Sequence, residues 1–171
     1  MDKGAAAYAP ELWTWEAVCA DPHLRDLPYK IELNRHNQIV MSPSNVFHSR
    51  YQAEILHLLQ RLLKGGESIP GLAVMTSDNV KVPDVVWASR ATLRAHAQED
   101  INWSSPPEIC VEVISPSNTR SEIEEKRLLY LEGGAQEVWV CGLDGTMSFF
   151  SGAGELPGST LCPKFPERVK L

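Results

Sequence analysis

Ile109-Cys110-Val111-Glu112-Val113-Ile114 is the stretch that decides the fold. Apolar side chains stand at odd and even positions alike, which predicts a strand covered on both faces in the middle of a sheet flanked by helices. Glu112 breaks that pattern at its centre. A bare carboxylate there costs several kcal/mol in desolvation unless it pairs or binds a metal. Working outward, Ser115-Pro116-Ser117 closes the strand, and Thr119 with Glu122 has capping-box spacing for a helix over residues 120–132 that Gly133-Gly134 stops. Strands over 137–141 and 146–150 follow, joined at Asp144-Gly145, a hairpin signal. The Pro- and Gly-rich tail from Gly152 wraps the surface, with 160–162 as an edge strand.

Upstream, Thr14 caps a short helix to residue 20, and segments 29–33 and 38–41 form a hairpin about Asn34-Arg35-His36-Asn37. Between residues 46 and 64, Phe47, Tyr51, Ile55, Leu58, Leu59 and Leu62 recur at helical spacing, and Gly65-Gly66 supplies a stop. Residues 72–75 and 80–88 read as strands joined by Ser77-Asp78-Asn79, and 91–99 as a short helix. The order implies one α/β domain over residues 1–171, with 1–11 a loosely ordered lead-in, built on a mixed central sheet flanked by helices.

Of 171 residues, 43% are hydrophobic and 22% charged, and the formal net charge of −6 provides no positive field to hold nucleic acid passively. Any such function requires a local patch or a metal. Cys19, Cys110, Cys141 and Cys162 are widely spaced without a C-x-x-C pair, which reads as free thiols in a cytoplasmic protein. Neither a signal-peptide core nor a spanning segment is expected.

Asp84 shares the oddity of Glu112, being the lone charge among Val80, Val82 and Val86 on one face of its expected strand, next to Pro83. Two carboxylates on adjacent strands make the hard-oxygen half of a Mg²⁺ or Mn²⁺ site. The competing structural reading pairs each acid with a basic residue such as Lys81 or Arg127. Lys126 falls between Leu129 and Tyr130 on the helical wheel, within the arc that faces the sheet; Arg127 falls in the same arc, and the wheel does not separate them. His23, His36, His48, His57 and His96 lack zinc-ligand spacing. No P-loop, G-x-S-x-G or G-x-G-x-x-G is present. Most of the five tryptophans are expected in core or interface packing.

These residues resemble the PD-(D/E)XK restriction-endonuclease-like superfamily and, within it, the Uma-two family, whose members are assigned as endonucleases. The likeness runs through Tyr29-Lys30-Ile31-Glu32-Leu33, Met41-Ser42-Pro43, Val82-Pro83-Asp84-Val85-Val86, the segment from Pro107 to Ser117, Lys126 with Tyr130, and Glu137-Val138-Trp139-Val140. It implies a restriction-endonuclease-like fold, Asp84 and Glu112 as metal ligands, and the Val113 backbone carbonyl as a third. The lysine of the usual Glu-x-Lys triplet is replaced by Ile114, and Lys126 stands in for it. Glu32 matches a family acid in the first hairpin, though its strand face also suits a solvated side chain. The same analogy sets His48 near the site, while its helix position fits a surface residue.

The expectation is a Mg²⁺- or Mn²⁺-dependent endonuclease acting on DNA, with Asp84 and Glu112 holding metal, Lys126 stabilising charge on phosphate and Glu32 supporting. Arg120 and Arg127 are candidate phosphate contacts, and a homodimer is expected through an apolar hairpin near Trp139. The rival expectation is a non-catalytic binding or assembly module on the same scaffold, with no metal affinity. A nucleotide phosphohydrolase of the same chemistry is a third.

Overall fold

The computed structural model describes residues 12–171; the expected lead-in over 1–11 lies outside the described residues. Helix α1 (Trp15–Ala20) is capped by Thr14, whose hydroxyl accepts from the Ala17 N–H. The hairpin of β1 (Tyr29–Leu33) and β2 (Ile39–Pro43) forms its own two-stranded sheet, pairing Glu32 with Val40. Asn45 caps α2 (Val46–Leu62), accepting from the His48 N–H.

Six strands make the central sheet, in the order β10-β9-β8-β7-β6-β3. These are β3 (Gly66–Pro70), β6 (Val85–Ser89), β7 (Ile109–Val113), β8 (Glu137–Cys141), β9 (Met147–Ser151) and β10 (Gly154–Leu156). Only β7 and β8 run parallel, joined across α4 (Arg120–Glu132); the other pairs are antiparallel. A small hairpin of β4 (Val74–Thr76) and β5 (Asn79–Lys81) lies outside it, and α3 (Arg90–Ala95) follows β6.

Strand alternation sorts the core into two layers. Ile109, Val111 and Val113 of β7, with Val85 and Trp87 of β6, pack with Tyr51, Ile55, Leu58 and Leu59 of α2. On the other face, Cys110, Val86 and Ala88 pack with Tyr130 of α4. Glu112 belongs by parity to this second face. All five residues of β7 are buried, as expected for a strand covered on both sides.

Four expectations are corrected. Pro83, which has no N–H to give a ladder, splits the segment over 80–88 into β5 and β6, so Asp84 sits on the break rather than within a continuous strand. Gly66 does not merely stop α2; it opens β3. Residues 160–162 form no strand, because the N–H groups of Thr160 and Leu161 are given to Glu137. Trp139 is fully buried against Phe149 and Phe165, so the hairpin beside it presents no tryptophan for a dimer contact. All four cysteines are free thiols. Among the described residues, no helix is long and apolar enough to cross a membrane.

Candidate active site

The break at Pro83 is what brings the two anomalous acids together. The antiparallel register pairs Val85 with Val111, and one step further along it Asp84 lies beside Glu112. The Asp84 N–H still donates to Val111 O at 3.0 Å, which extends the ladder by one bond. Its own carbonyl accepts from Gln52 Nε2 at 2.9 Å, tying the break to α2.

Both carboxylates are almost wholly buried, with 3% exposure for Asp84 and 2% for Glu112. Asp84 Oδ2 accepts the Val113 N–H at 2.7 Å and lies 3.2 Å from His48 Nε2. Glu112 Oε1 accepts from the Tyr130 hydroxyl at 2.7 Å and lies 3.5 Å from Lys126 Nζ. The remaining oxygens, Asp84 Oδ1 and Glu112 Oε2, converge on the ammonium of Lys30, which donates to them at 2.9 and 3.1 Å. Glu32, also buried, uses one oxygen to accept both the Val82 N–H and the Lys126 ammonium, each at 2.8 Å. Three carboxylates thus face two ammonium groups, with the His48 imidazole at the edge.

The two acids titrate apart. Burial would raise the Asp84 carboxyl, but the Lys30 charge, the His48 contact and the Val113 N–H hold it well below the usual carboxylate range. Burial lifts Glu112 above its ordinary value, against the pull of Lys126 and Lys30 and with the push of Asp84 and Glu32. For Lys30, burial would lower the ammonium; the charges of Glu112, Asp84 and Glu32 outweigh this and raise it. Burial also raises the thiol of Cys110, and of Cys141 to about 12, so neither supplies a thiolate near neutral pH.

The structure therefore brings Asp84, Glu112, Val113, Lys126 and Glu32 into one cluster. Neither basic partner named in the competing reading takes part. Lys81 bonds Asp78 and the Leu33 carbonyl, and Arg127 lies over the Phe150 ring. Glu32 is buried rather than solvated, and His48 is buried rather than on the helix surface. Sequence reasoning missed Lys30, which sits two residues from Glu32 on the same strand face; that spacing was its one available signal. Tyr130, four residues beyond Lys126 and hence on the same helix face, carried a clearer one.

Whether the residues suit a divalent metal can be tested on the donor set. Among the described residues, no group of three or more His, Cys, Asp or Glu side chains is gathered to hold a metal. Two carboxylate oxygens do converge on one point, and a cation already stands there, the Lys30 ammonium. A Mg²⁺-type ion, which commonly takes one or two carboxylates and fills its other positions with water and phosphate, fits such a set. A small cavity of about 20 Å³ lined by Lys30, His48, Glu112, Val113 and Lys126 adjoins it.

No curated protein matches the chain. Among solved structures, it is similar to a putative nuclease belonging to DUF820 from Anabaena variabilis ATCC 29413, at 16% identity and a TM-score of 0.70, over 91% of this chain and 94% of that one. At that identity the likeness speaks for the fold, which is the mixed α/β, restriction-endonuclease-like one. A family profile matches residues 21–147, a span that contains every residue of the cluster. The chain belongs to the Uma2 family, described as "Putative restriction endonuclease".

Proposed function

We propose that the chain is a nuclease that hydrolyses phosphodiester bonds of DNA with Mg²⁺ or Mn²⁺. The observation that carries this reading is the convergence of Asp84 Oδ1 and Glu112 Oε2 on a single cation position, with the Lys126 ammonium beside it. Asp84 and Glu112 would hold the metal, with the Val113 carbonyl as a further donor. When bound, the metal supplies a Lewis acid for the scissile phosphate and acidifies the attacking water.

The chain's own groups do the rest. Water oxygen forms the new bond to phosphorus and gives its proton to solvent, the bond to the leaving sugar oxygen breaks and that oxygen takes a proton from solvent, and negative charge grows on the phosphoryl oxygens. Lys126 meets that charge as a preorganised cation whose position is fixed by Glu32 at 2.8 Å. The Val113 N–H, His48 and Tyr130 orient the two acids so that one oxygen of each faces the cation. Phosphates flanking the cut would cross Asn118 toward Arg120 and Arg127, which line an adjoining cavity of about 490 Å³. A homodimer would supply the second site that duplex cutting needs, and sedimentation at high micromolar concentration checks it.

One observation favours the rival, non-catalytic scaffold: the acids are already compensated by Lys30 and Lys126 without any metal. The deciding experiment incubates supercoiled plasmid with the protein in Mg²⁺, Mn²⁺ or EDTA, beside Asp84→Ala and Lys126→Ala. Metal-dependent nicking that both substitutions abolish is expected. Absence of cleavage in either metal, with no metal-dependent rise in melting temperature, would give the scaffold reading the stronger claim.

A further inference from the structure

We infer that Lys30 is a resident counter-ion seated at the metal position, and that divalent metal enters only as this lysine swings out, so that β1 carries a gate on metal loading. The inference rests on the metal-dependent reading above and adds to it a residue that controls loading.

Oxygen by oxygen, the acids leave a metal one choice. Asp84 Oδ2 is committed to the Val113 N–H and His48, and Glu112 Oε1 to Tyr130 and Lys126. The oxygens that face one another are Asp84 Oδ1 and Glu112 Oε2, and both are held by Lys30 Nζ. An ammonium at 2.9 and 3.1 Å from them fills the space a metal would take.

Charge gives the same answer. With three carboxylates ionised and two ammonium groups present, the cluster carries one formal negative charge. A divalent ion added with Lys30 in place would reverse this to one positive charge in a buried site. Added with Lys30 expelled, it leaves the cluster neutral, the arrangement least penalised by desolvation.

Lys30 also has somewhere to go. It projects from the β1–β2 hairpin, which is not hydrogen-bonded into the central sheet, and its side chain keeps 19% exposure. A second hollow of about 360 Å³ also borders Lys30, lined by Trp15, Ser44, His48 and Gln52 and reaching Asp84 at one edge. A flexible four-carbon stem can carry its charge there by rotamer changes alone. Metal affinity is then reduced by the fraction of molecules in which the lysine is out.

Titration calorimetry of the full chain with MnCl₂, on wild type, Lys30→Met and Lys30→Met/Asp84→Asn, tests this. Removing the lysine should tighten Mn²⁺ binding at least roughly tenfold, the least expected from deleting a competing charge at contact distance. Asp84→Asn added to that variant should abolish binding. Equal, Asp84-dependent affinity in wild type and Lys30→Met would overturn the gate and leave the metal site standing. No binding in either, with no shift in melting temperature, would overturn both. Lys30→Gln serves if the methionine variant fails to fold. Wild type alone gives a second readout, since Mg²⁺ saturation should move the Lys30 side-chain NMR signals to those of a solvated lysine; signals unmoved at saturation would overturn the gate.

Discussion

Tyr130 illustrates how the site is held at the level of single residues. Its ring is fully buried in the apolar layer with Val86, Cys110 and Val138, and its hydroxyl donates to Glu112 Oε1 at 2.7 Å. Burial and the adjacent Glu112 charge push the phenol well above its ordinary value, so it remains a donor at neutral pH. Tyr130→Phe removes that donor without changing the shape of the ring, leaving the oxygen with Lys126 at 3.5 Å as its remaining partner. The expected cost is about 1–3 kcal/mol, the range for a buried acceptor that loses a bond. Urea unfolding reads it as a lower midpoint at unchanged slope. Tyr29→Phe, at a half-exposed position, should stay within about 0.5 kcal/mol. A Tyr130→Phe change that small would mean that Lys126 closes the gap. Lys126 reaches Glu112 from α4, while Ile114, two residues beyond Glu112, lines the adjoining cavity.

Among the elements, β3 depends most visibly on a single small residue. It is an edge strand ending at Pro70, which suits an edge because proline has no N–H to donate. A Cβ built on Gly66 would overlap the Ala88 carbonyl oxygen and the Trp87 ring, so β3 reaches β6 only with glycine there. Gly66→Ala should cost about 1–3 kcal/mol, as overpacking does, with a changed near-UV signal from Trp87. Gly152→Ala, with open space around it, should be neutral within about 0.5 kcal/mol in the same melts. These contacts also explain which elements can be read in the sequence. The strand β7 and the capped helix α4 announce themselves through local pattern: an unbroken apolar run in one, and Thr119 with Glu122 in the other. Gly66-Glu67-Ser68-Ile69-Pro70 has no such pattern, because its pairing comes from a partner some twenty residues on. The site divides in the same way. Glu112 and Asp84 stood out as charges in apolar surroundings, whereas the helical period put Lys126 and Arg127 in one arc and only the family resemblance singled out Lys126. Lys30 is held by acids 54 and 82 residues away, a distance over which no local period carries information.

At the scale of the whole molecule, the C-terminal tail closes the core and Glu137 holds it shut. Cys162, Phe165 and Val169 are buried with Trp139, Phe149 and Tyr51, so the tail completes the α2 side of the core rather than lying on its surface. Its far end is tied by backbone bonds, Met147 N–H to the Glu167 carbonyl and Val169 N–H to the Gly145 carbonyl, and its near end by one carboxylate at 2% exposure. Glu137 Oε2 accepts from Trp139 Nε1 and the Ser159 hydroxyl, and Oε1 from the N–H and hydroxyl of Thr160 and the N–H of Leu161. Burial works against the charged form, but the hydrogen bonds from Thr160, Ser159 and Trp139 outweigh it and set the carboxyl below its ordinary value of 4.5. A glutamine cannot replace it, because its NH₂ would turn a donor toward groups that are donors themselves. Glu137→Gln should therefore lose at least about 2–3 kcal/mol at neutral pH, enough to expose the tail to proteolysis beyond Gly152. The sign of the pH dependence follows from the depressed carboxyl. Its contribution is complete above the unfolded value near 4.5 and is lost as pH falls through the lower folded value. The gap in stability between wild type and Glu137→Gln should thus be widest at neutral pH and narrow below about pH 4.5, when protonation turns the wild-type side chain into a donor too. Melts of both proteins across that range check it, and a gap constant with pH would show that the tail is held by its apolar residues rather than by the carboxylate.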